Sequence, residues 1–173
     1  MKRLLLLRHA KSDRTTSLGD RDRPLAARGR RDAPAMGKFM HRHALEPDRV
    51  LCSDAKRTRQ TWTLVARELK SEPTVEISGA LYLAPWNAIV NVLHETPRAA
   101  TTLLVIGHNP GLEDCAAALL RPQADAEERA RRATMAEKFP TAALAVLDCD
   151  VANWNELEPG TAGLTDFIRP RDL

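Results

Sequence analysis

The sequence predicts an α/β fold, a three-layer sandwich with a mostly parallel central sheet and helices on both faces. Short apolar runs, which indicate buried strands, alternate along the chain with segments that carry apolar residues at helical spacing. The first run, residues 2–7, is apolar without alternation, as expected of a central strand that is covered on both faces. The length of 173 residues predicts a single domain over 1–173.

Further strands are predicted wherever a short apolar run is bounded by polar or turn-forming residues. They lie at 50–52, 74–77, 101–106 and 142–147, with 154–157 expected to pair beside the last. Between the first strand and the first helix, the polar segment 13–24 contains Gly19 and Pro24 and predicts a loop.

Helices are predicted between these strands. In chain order they lie at 25–44, at 55–70, from Pro85 onward and at 112–120. The highly charged segment 123–138 is either mobile or an exposed helix. Ser53 or Asp54 is expected to cap the second helix. Ile89, Val90 and Leu93 predict the buried stripe of the third helix. The first turns of the first helix are interrupted by small or rigid residues: Gly29, Pro34 and Gly37.

Composition excludes several classes of protein. With 43% hydrophobic and 28% charged residues the chain is typical of globular proteins, and no apolar run approaches the roughly 20 residues that span a membrane. The first leucine run ends after four residues, too short for a signal peptide, so we expect a cytoplasmic protein without a membrane partner. Cys52, Cys115 and Cys149 are widely spaced, which favours reduced thiols over disulfides or a zinc site.

Charge is distributed unevenly along the chain. Residues 1–70 carry 18 Lys and Arg against 8 Asp and Glu, whereas residues 71–173 carry 8 against 15. A basic half can attract nucleic acid, an acidic protein or a phosphorylated substrate, and it can also be an ordinary solvated face. Few aromatic residues accompany the charges and no basic run occurs, so we expect no nucleic-acid partner.

Unusual polar residues follow three of the predicted strands. Arg8 and His9 follow the first strand, Ser53 and Arg57 follow the second, and His108 follows the strand that ends at residue 106. In α/β folds the sites gather beyond the carboxyl ends of the strands. We therefore expect these side chains to converge in one pocket.

Two histidines and two arginines in one pocket suit phosphoryl transfer. A neutral imidazole is a nucleophile at physiological pH and can form a phosphohistidine intermediate. Arginine forks bind the oxygens of the transferring group, and a second, protonated histidine can bind one more. This chemistry depends on positioning and electrostatics, and it requires neither a metal ion nor a cofactor.

The motifs as a set resemble those of the histidine phosphatase superfamily, the phosphoglycerate-mutase-like group, and within it the short SixA-type phosphohistidine phosphatases. The matching stretches extend from about residue 2 to 157 and read "LLLLRHAKS", "DRDRPLAARGRRDA", "VLCSDAKRTRQT", "LYLA", "LLVIGHNPGLED" and "FPTAALAVL". The resemblance implies a phosphoglycerate-mutase-like fold and a phosphate-bearing substrate.

The resemblance also implies roles for individual residues. His9 is the expected phosphorylated nucleophile, Arg8 and Arg57 are expected to bind the phosphate, and His108 is the second histidine of the pocket. The resemblance implies two further substrate-binding residues, Ser12 in the phosphate loop and Arg23 at the rim of the pocket.

One departure from the family pattern bears on the substrate. Larger members of the superfamily have a glutamate acid in an insertion that corresponds to residues 78–92, and here that segment contains no carboxylate. A phosphorylated imidazole can depart without an acid if its ring already carries a proton, whereas an alkoxide cannot. The missing acid favours phosphoramidates or other activated phosphates over sugar phosphates, unless Asp20 or Asp22 in the loop donates the proton. The short connections leave the site open, which suits phosphohistidine on a protein such as a phosphotransfer protein.

Two alternatives remain open from the sequence. The first is a small-molecule phosphomonoesterase of the same superfamily, and the second is a phosphate-binding module without catalysis. Retention of the histidine nucleophile argues against the binding module. The sequence predicts no oligomeric state.

Overall fold

A single six-stranded sheet forms the centre of the molecule. The structure, a computed structural model, describes all 173 residues. The strands are β1 (Lys2–Arg8), β2 (Arg49–Ser53), β3 (Thr74–Ser78), β4 (Thr102–Gly107), β5 (Leu144–Cys149) and β6 (Ala162–Ile168). Their order is β3-β2-β4-β1-β5-β6. The first four of these pair in parallel, and β5 and β6 are antiparallel to their neighbours.

Five α-helices cover the two faces of this sheet. They are α1 (Ala27–Arg42), α2 (Lys56–Ala66), α3 (Trp86–His94), α4 (Gly111–Leu119) and α5 (Ala126–Glu137). Helices α1 and α2 contribute to the core on one face, whereas α3, α4 and α5 contribute to the core on the other. The predicted three-layer sandwich with a mostly parallel sheet is therefore confirmed. No helix combines the length and the hydropathy that crossing a bilayer requires.

The leucine run of β1 supplies both cores. Leu4 and Leu6 face the core under α3 to α5, Leu5 and Leu7 face the core under α1 and α2, and all four are fully buried. Side chains of a strand alternate between the two faces of its sheet, so a strand between two helical layers must be apolar at every position. This is why the run shows no alternation.

The strand expected at 154–157 was a wrong prediction. Residues Trp154–Glu156 form a short 3-10 turn, and the indole of Trp154 is buried and donates from Nε1 to the Ala100 carbonyl at 2.8 Å. The neighbour of β5 is instead β6, which sequence patterns did not predict. The 3-10 turn places the large Trp154 side chain in the core, and the edge beside β5 is occupied by β6.

The N-termini of α2 and α5 differ in how they are capped. Helix α2 starts after Ala55 without a side-chain cap, and the Ser53 hydroxyl lies 2.7 Å from a ring nitrogen of His108 instead. The charged segment forms α5, which Asp125 caps by accepting from the Glu128 amide at 2.7 Å. The buried carboxylate of Glu128 accepts from the Leu164 amide at 2.8 Å, which ties α5 to β6.

The glycines of α1 allow close approaches between backbones. A Cβ at Gly29 would lie 2.2 Å from the carbonyl oxygen of Lys11, and one at Gly37 would lie 2.8 Å from that of Val65. These residues therefore do not break α1. Instead, they allow the helix to lie directly against the segment that follows β1 and against α2.

We predict that Gly29→Ala lowers the free energy of unfolding by about 2 kcal/mol. Alanine favours a helix over glycine by about 1 kcal/mol, but displacing a packed backbone carbonyl costs more than that gain. Urea denaturation measures the difference. Gly19→Ala is the matched control, because Gly19 has φ −59° and no atom within 4 Å of the added Cβ. Equal stability of the Gly29→Ala variant and the wild type would contradict the close approach.

Candidate active site

The carboxyl ends of three parallel strands bring the two histidines together. Strand β4 lies between β1 and β2, and Arg8 stands opposite Gly107 in the ladder. The amide of His9 donates to the Gly107 carbonyl at 3.1 Å, which continues the pairing by one residue. The ring centroids of His9 and His108 are 5.4 Å apart. The expected convergence of the strand ends is therefore observed.

His9 is held as a neutral imidazole with a defined tautomer. Only 8% of the residue is exposed, and Nδ1 lies 2.8 Å from the Ala10 carbonyl, an acceptor, so Nδ1 carries the proton. Nε2 makes no hydrogen bond within the protein and keeps its lone pair. Burial, and then the charges of the neighbouring Arg57 and Arg8, lower the pKa of His9 to about 3.

His108 is also neutral in this arrangement. Arg57 donates from Nη2 to Nδ1 at 3.2 Å, and because a guanidinium cannot accept, the proton of His108 must be on Nε2. Nε2 donates to the Ser53 hydroxyl at 2.7 Å. Burial, and then the charge of Arg57, lowers the pKa of His108 to about 4. The protonated form that the sequence predicts to bind the phosphoryl group is therefore not the form of His108 in the free site.

Arg57 is the most deeply buried cation of the pocket. It lies in the first turn of α2, directly beyond β2, and its side chain is 2% exposed. Nη1 donates to the Asp20 carbonyl at 2.6 Å, and Nη2 donates to the Asp20 carboxylate at 3.0 Å. Its Nε–H is buried and has no partner in the protein.

Arg8 connects β1 to two loops. Its Nη1 donates to the Phe139 carbonyl at 2.8 Å, and the Asn109 side-chain amide donates to the same oxygen at 3.1 Å. Asn109 immediately follows His108, so the loop after β4 and the segment before β5 are fixed against the end of β1. The Nε–H of Arg8, like that of Arg57, is buried without a partner.

Asp20 does not have the properties of a proton donor. Its carboxylate accepts from the Tyr82 hydroxyl, from Arg23 Nη2 at 2.6 Å and from Arg57. The Tyr82 hydroxyl, followed by Arg23 and Arg57, holds the pKa of Asp20 well below its usual range, so the group is ionised at neutral pH. Asp22, the other carboxylate suggested by the sequence, is exposed and its side chain forms neither a hydrogen bond nor an ion pair.

Ser12 and Arg23 contact each other beside His9. Arg23 donates from Nη1 to the Ser12 hydroxyl at 2.8 Å. Both residues, with Arg8 and His9, line a cavity of about 190 Å³ that has no hydrophobic residue among its ten lining residues. The chain contains no group of three or more His, Cys, Asp or Glu side chains placed to hold a metal ion.

Tyr82 is the site residue that sequence reasoning missed. Its ring meets the His108 ring edge-on at 5.4 Å, and Arg21 stacks over it with Cζ 4.1 Å from the ring centroid. A signal was available, because Tyr82 is the only tyrosine of the chain and lies in the segment 78–92 that lacks a carboxylate. The hydrogen bond between Ser53 and His108 had no comparable signal, because a serine before a helix usually indicates a cap.

Comparison with known proteins places these motifs in one family. A model of the histidine phosphatase superfamily (branch 1) matches residues 4–81, which include Arg8, His9 and Arg57. A candidate phosphohistidine phosphatase SixA from Nakamurella multipartitia is 29% identical, with a TM-score of 0.84 over 98% of this chain and 96% of that one. The protein histidine phosphatase SixA complexed with tungstate shares the fold, with a TM-score of 0.78, 21% identity and 98% of both chains covered.

A curated relative matches almost the whole chain. An uncharacterized protein of Mycobacterium tuberculosis is 35% identical over 165 residues, which cover 95% of this chain and 100% of the relative. The similarity therefore extends well beyond the first half that the family model matches.

We predict that both active-site histidines stay neutral at pH 5.5. With pKa values of about 3 and about 4, His9 and His108 should titrate far below the ordinary value of about 6.5. Ring 15N and 13C spectra recorded between pH 8 and pH 4.5 measure this, with the urea-unfolded protein as the control. Because the unfolded chain binds these protons first, the free energy of unfolding should fall as the pH decreases below about 6.5. Titration of either ring at or above pH 6.5 would contradict the described hydrogen bonds.

Proposed function

The chain belongs to the histidine phosphatase superfamily and is a phosphatase, and we propose that it removes phosphoryl groups from phosphohistidine on a protein. In this proposal His9 accepts the phosphoryl group and no metal ion takes part. The observation that carries the proposal is the His9 imidazole, which is neutral, has a free Nε2 and lies among the cations Arg8 and Arg57.

The first step of the proposed reaction is attack by Nε2 of His9 on the substrate phosphorus. A bond forms between Nε2 and phosphorus while the phosphorus–nitrogen bond of the substrate breaks, and the electron pair of that bond stays on the departing imidazole. In the second step water attacks the phosphorus, the bond to Nε2 breaks and inorganic phosphate leaves. Two displacements with a covalent intermediate replace one harder step.

The cations supply the electrostatic stabilisation in both steps. Arg8 and Arg57 each carry a buried Nε–H without a partner and remain charged at any relevant pH. A phosphate dianion beside His108 would raise the pKa of that ring, because a nearby opposite charge favours the protonated form. His108 would then become a cationic donor when the substrate is bound, although it is neutral in the free site.

The leaving group favours phosphohistidine over phosphate esters. Asp20 is ionised, residues 78–92 contain no carboxylate, and hydrogen bonding to Asp20 raises the pKa of the Tyr82 hydroxyl. Neither the Asp20 carboxylate nor the Tyr82 hydroxyl is suited to protonate an alkoxide at neutral pH, and a protonated His108 would be engaged with the phosphoryl oxygens. An imidazole leaving group with a proton on its other nitrogen needs no such donor.

We predict that the protein hydrolyses a phosphohistidine-bearing phosphotransfer domain much faster than sugar phosphates, with EDTA present throughout and with p-nitrophenyl phosphate as an ester whose leaving group needs no acid. His9→Ala should abolish turnover and stay folded, because the substitution removes the nucleophile at the end of a strand whose core residues are unchanged. Release of inorganic phosphate measures the rates, and circular dichroism checks the fold.

Three outcomes would contradict parts of the proposal. Appreciable turnover by His9→Ala would remove His9 as the nucleophile. Fast turnover of sugar phosphates would indicate an acid and favour the small-molecule phosphomonoesterase. Activity that EDTA abolishes and added magnesium or zinc restores would overturn the metal-free mechanism.

We predict that Arg57→Ala lowers kcat/KM by at least about 10²-fold, the usual effect of removing one transition-state donor. Arg59→Ala is the matched control, because Arg59 lies on the same helix but is exposed and forms no ion pair. The control should retain kcat/KM within about twofold, as expected of a surface substitution. Similar losses in both variants would show that the charge of the helix matters, and not the contacts of Arg57.

A further inference from the structure

A groove lined by cations extends away from His9. The cavity beside His9 is lined by six cationic and no acidic side chains: Arg8, Lys11, Arg14, Arg23, Arg28 and Lys138. A second cavity of about 170 Å³ shares Arg28, Lys138 and Pro140 with the first and continues to Arg169 and Arg171. We call the continuous surface formed by these two cavities the basic groove.

Four cations of the basic groove have no acidic partner. Arg23, Arg28 and Arg169 each form an ion pair with a carboxylate of their own segment, at 2.6, 3.3 and 2.9 Å. The others that lie outside the catalytic group form no ion pair and no side-chain hydrogen bond: Lys11, Arg14, Lys138 and Arg171. These four side chains are exposed. Like charges on one surface repel one another, and an acidic ligand relieves that repulsion.

The opposite flank of the site has a different character. Around Tyr82, the cations Arg21 and Arg57 are matched by Asp54 and Asp20, at 3.3 and 3.0 Å. A substrate with its phosphoryl group at His9 therefore meets neutralised charge on one side and unmatched positive charge on the other. An acidic substrate would extend along the basic groove.

The arrangement of the free cations indicates a macromolecular ligand. Lys11 and Arg14 follow β1, Lys138 follows α5, and Arg171 lies in the last turn of the chain, so the charges come from three separate segments. They line the groove with long, exposed side chains. Carboxylates spread over a protein surface match this pattern better than one compact anion does.

The lining also argues against a nucleic acid or a nucleotide. No Phe, Tyr or Trp lines either cavity, so apart from the His9 imidazole a base would find no ring on which to stack. No hydrophobic residue lines them either, which excludes apolar contact as the main source of affinity.

We infer that the basic groove docks an acidic surface of the substrate protein, with Asp or Glu side chains beside the phosphorylated histidine. This inference rests on the proposed function and deepens it, because it specifies which phosphohistidine proteins are substrates. Complementary charge at the rim of a site mainly speeds association and selects partners, and its effect is screened by salt.

The test uses two synthetic phosphohistidine peptides of equal length, one with glutamate and one with glutamine at the flanking positions. At low ionic strength the full-length protein should hydrolyse the acidic peptide with about tenfold higher kcat/KM, as expected of a few surface ion pairs. This preference should shrink in high salt. In the double variant Lys138→Glu, Arg171→Glu the ratio of the two kcat/KM values should fall to about one, since surface pairs are lost.

Lys38→Glu is the matched control, because Lys38 is an exposed cation of α1 without an ion pair and lies outside the groove. It should keep the preference of the wild type. Equal rates on both peptides in the wild type would overturn the inference. An unchanged preference in the double variant, or a loss of preference in Lys38→Glu as large as in the double variant, would also overturn it.

A binding arm separates this inference from the proposed function. If the protein hydrolyses neither peptide nor phosphoramidate, the proposed substrate class fails, and the groove is tested by fluorescence anisotropy with the same peptides unphosphorylated. Tighter binding of the acidic peptide, lost in the double variant, supports the inference, whereas equal or absent binding overturns it. Displacement of the acidic peptide by a single-stranded oligothymidylate that binds more tightly would overturn it in favour of a nucleic-acid partner.

Discussion

The parallel pairing of β1 with β4 is the constraint on which the site depends. The register places Arg8 opposite Gly107, so the next residue of each strand is a histidine and the two imidazoles lie side by side. A shift of one residue would turn the side chains of β1 to the opposite faces. The four leucines prevent this shift, because each has a fixed place in one of the two cores. The packing of the core therefore determines the geometry of the chemistry.

The same burial that fixes the histidines also sets their charge. Cations close to a buried imidazole and the loss of water both disfavour protonation, and here they act in the same direction on His9 and His108. Arg57 itself is almost completely buried, and the protein offsets the cost with the carbonyl and the carboxylate of Asp20. In the free site both imidazoles are therefore neutral and Asp20 is the partner of Arg57. An incoming dianion favours protonation of His108 and competes with Asp20 for Arg57.

The sequence was sufficient to predict the fold class, most strands and helices and the meeting of Arg8, His9, Arg57 and His108. Each of these depends on local signals, such as apolar runs that end abruptly in polar residues. It did not predict β6, which contains Gly163 and Asp166 and so lacks a continuous apolar run. Nor could it predict the contacts of Asp20, because a loop that crosses to α2 and Tyr82 is arranged by tertiary packing. Such contacts join residues that are far apart in the chain, so the local sequence does not predict them.

The hydrogen bonds between Arg57 and Asp20 affect the affinity of the site for an anionic substrate. An anion that uses the guanidinium of Arg57 must exchange with a carboxylate that is already hydrogen-bonded to it. The free energy of binding is then the difference between two anions at one cation, and it is smaller than the contacts in the complex would suggest. The same exchange operates in reverse when phosphate leaves, because the carboxylate of the loop returns to its donors. A tethered competitor of this kind weakens the binding of product as well as of substrate, and so favours repeated turnover over tight retention.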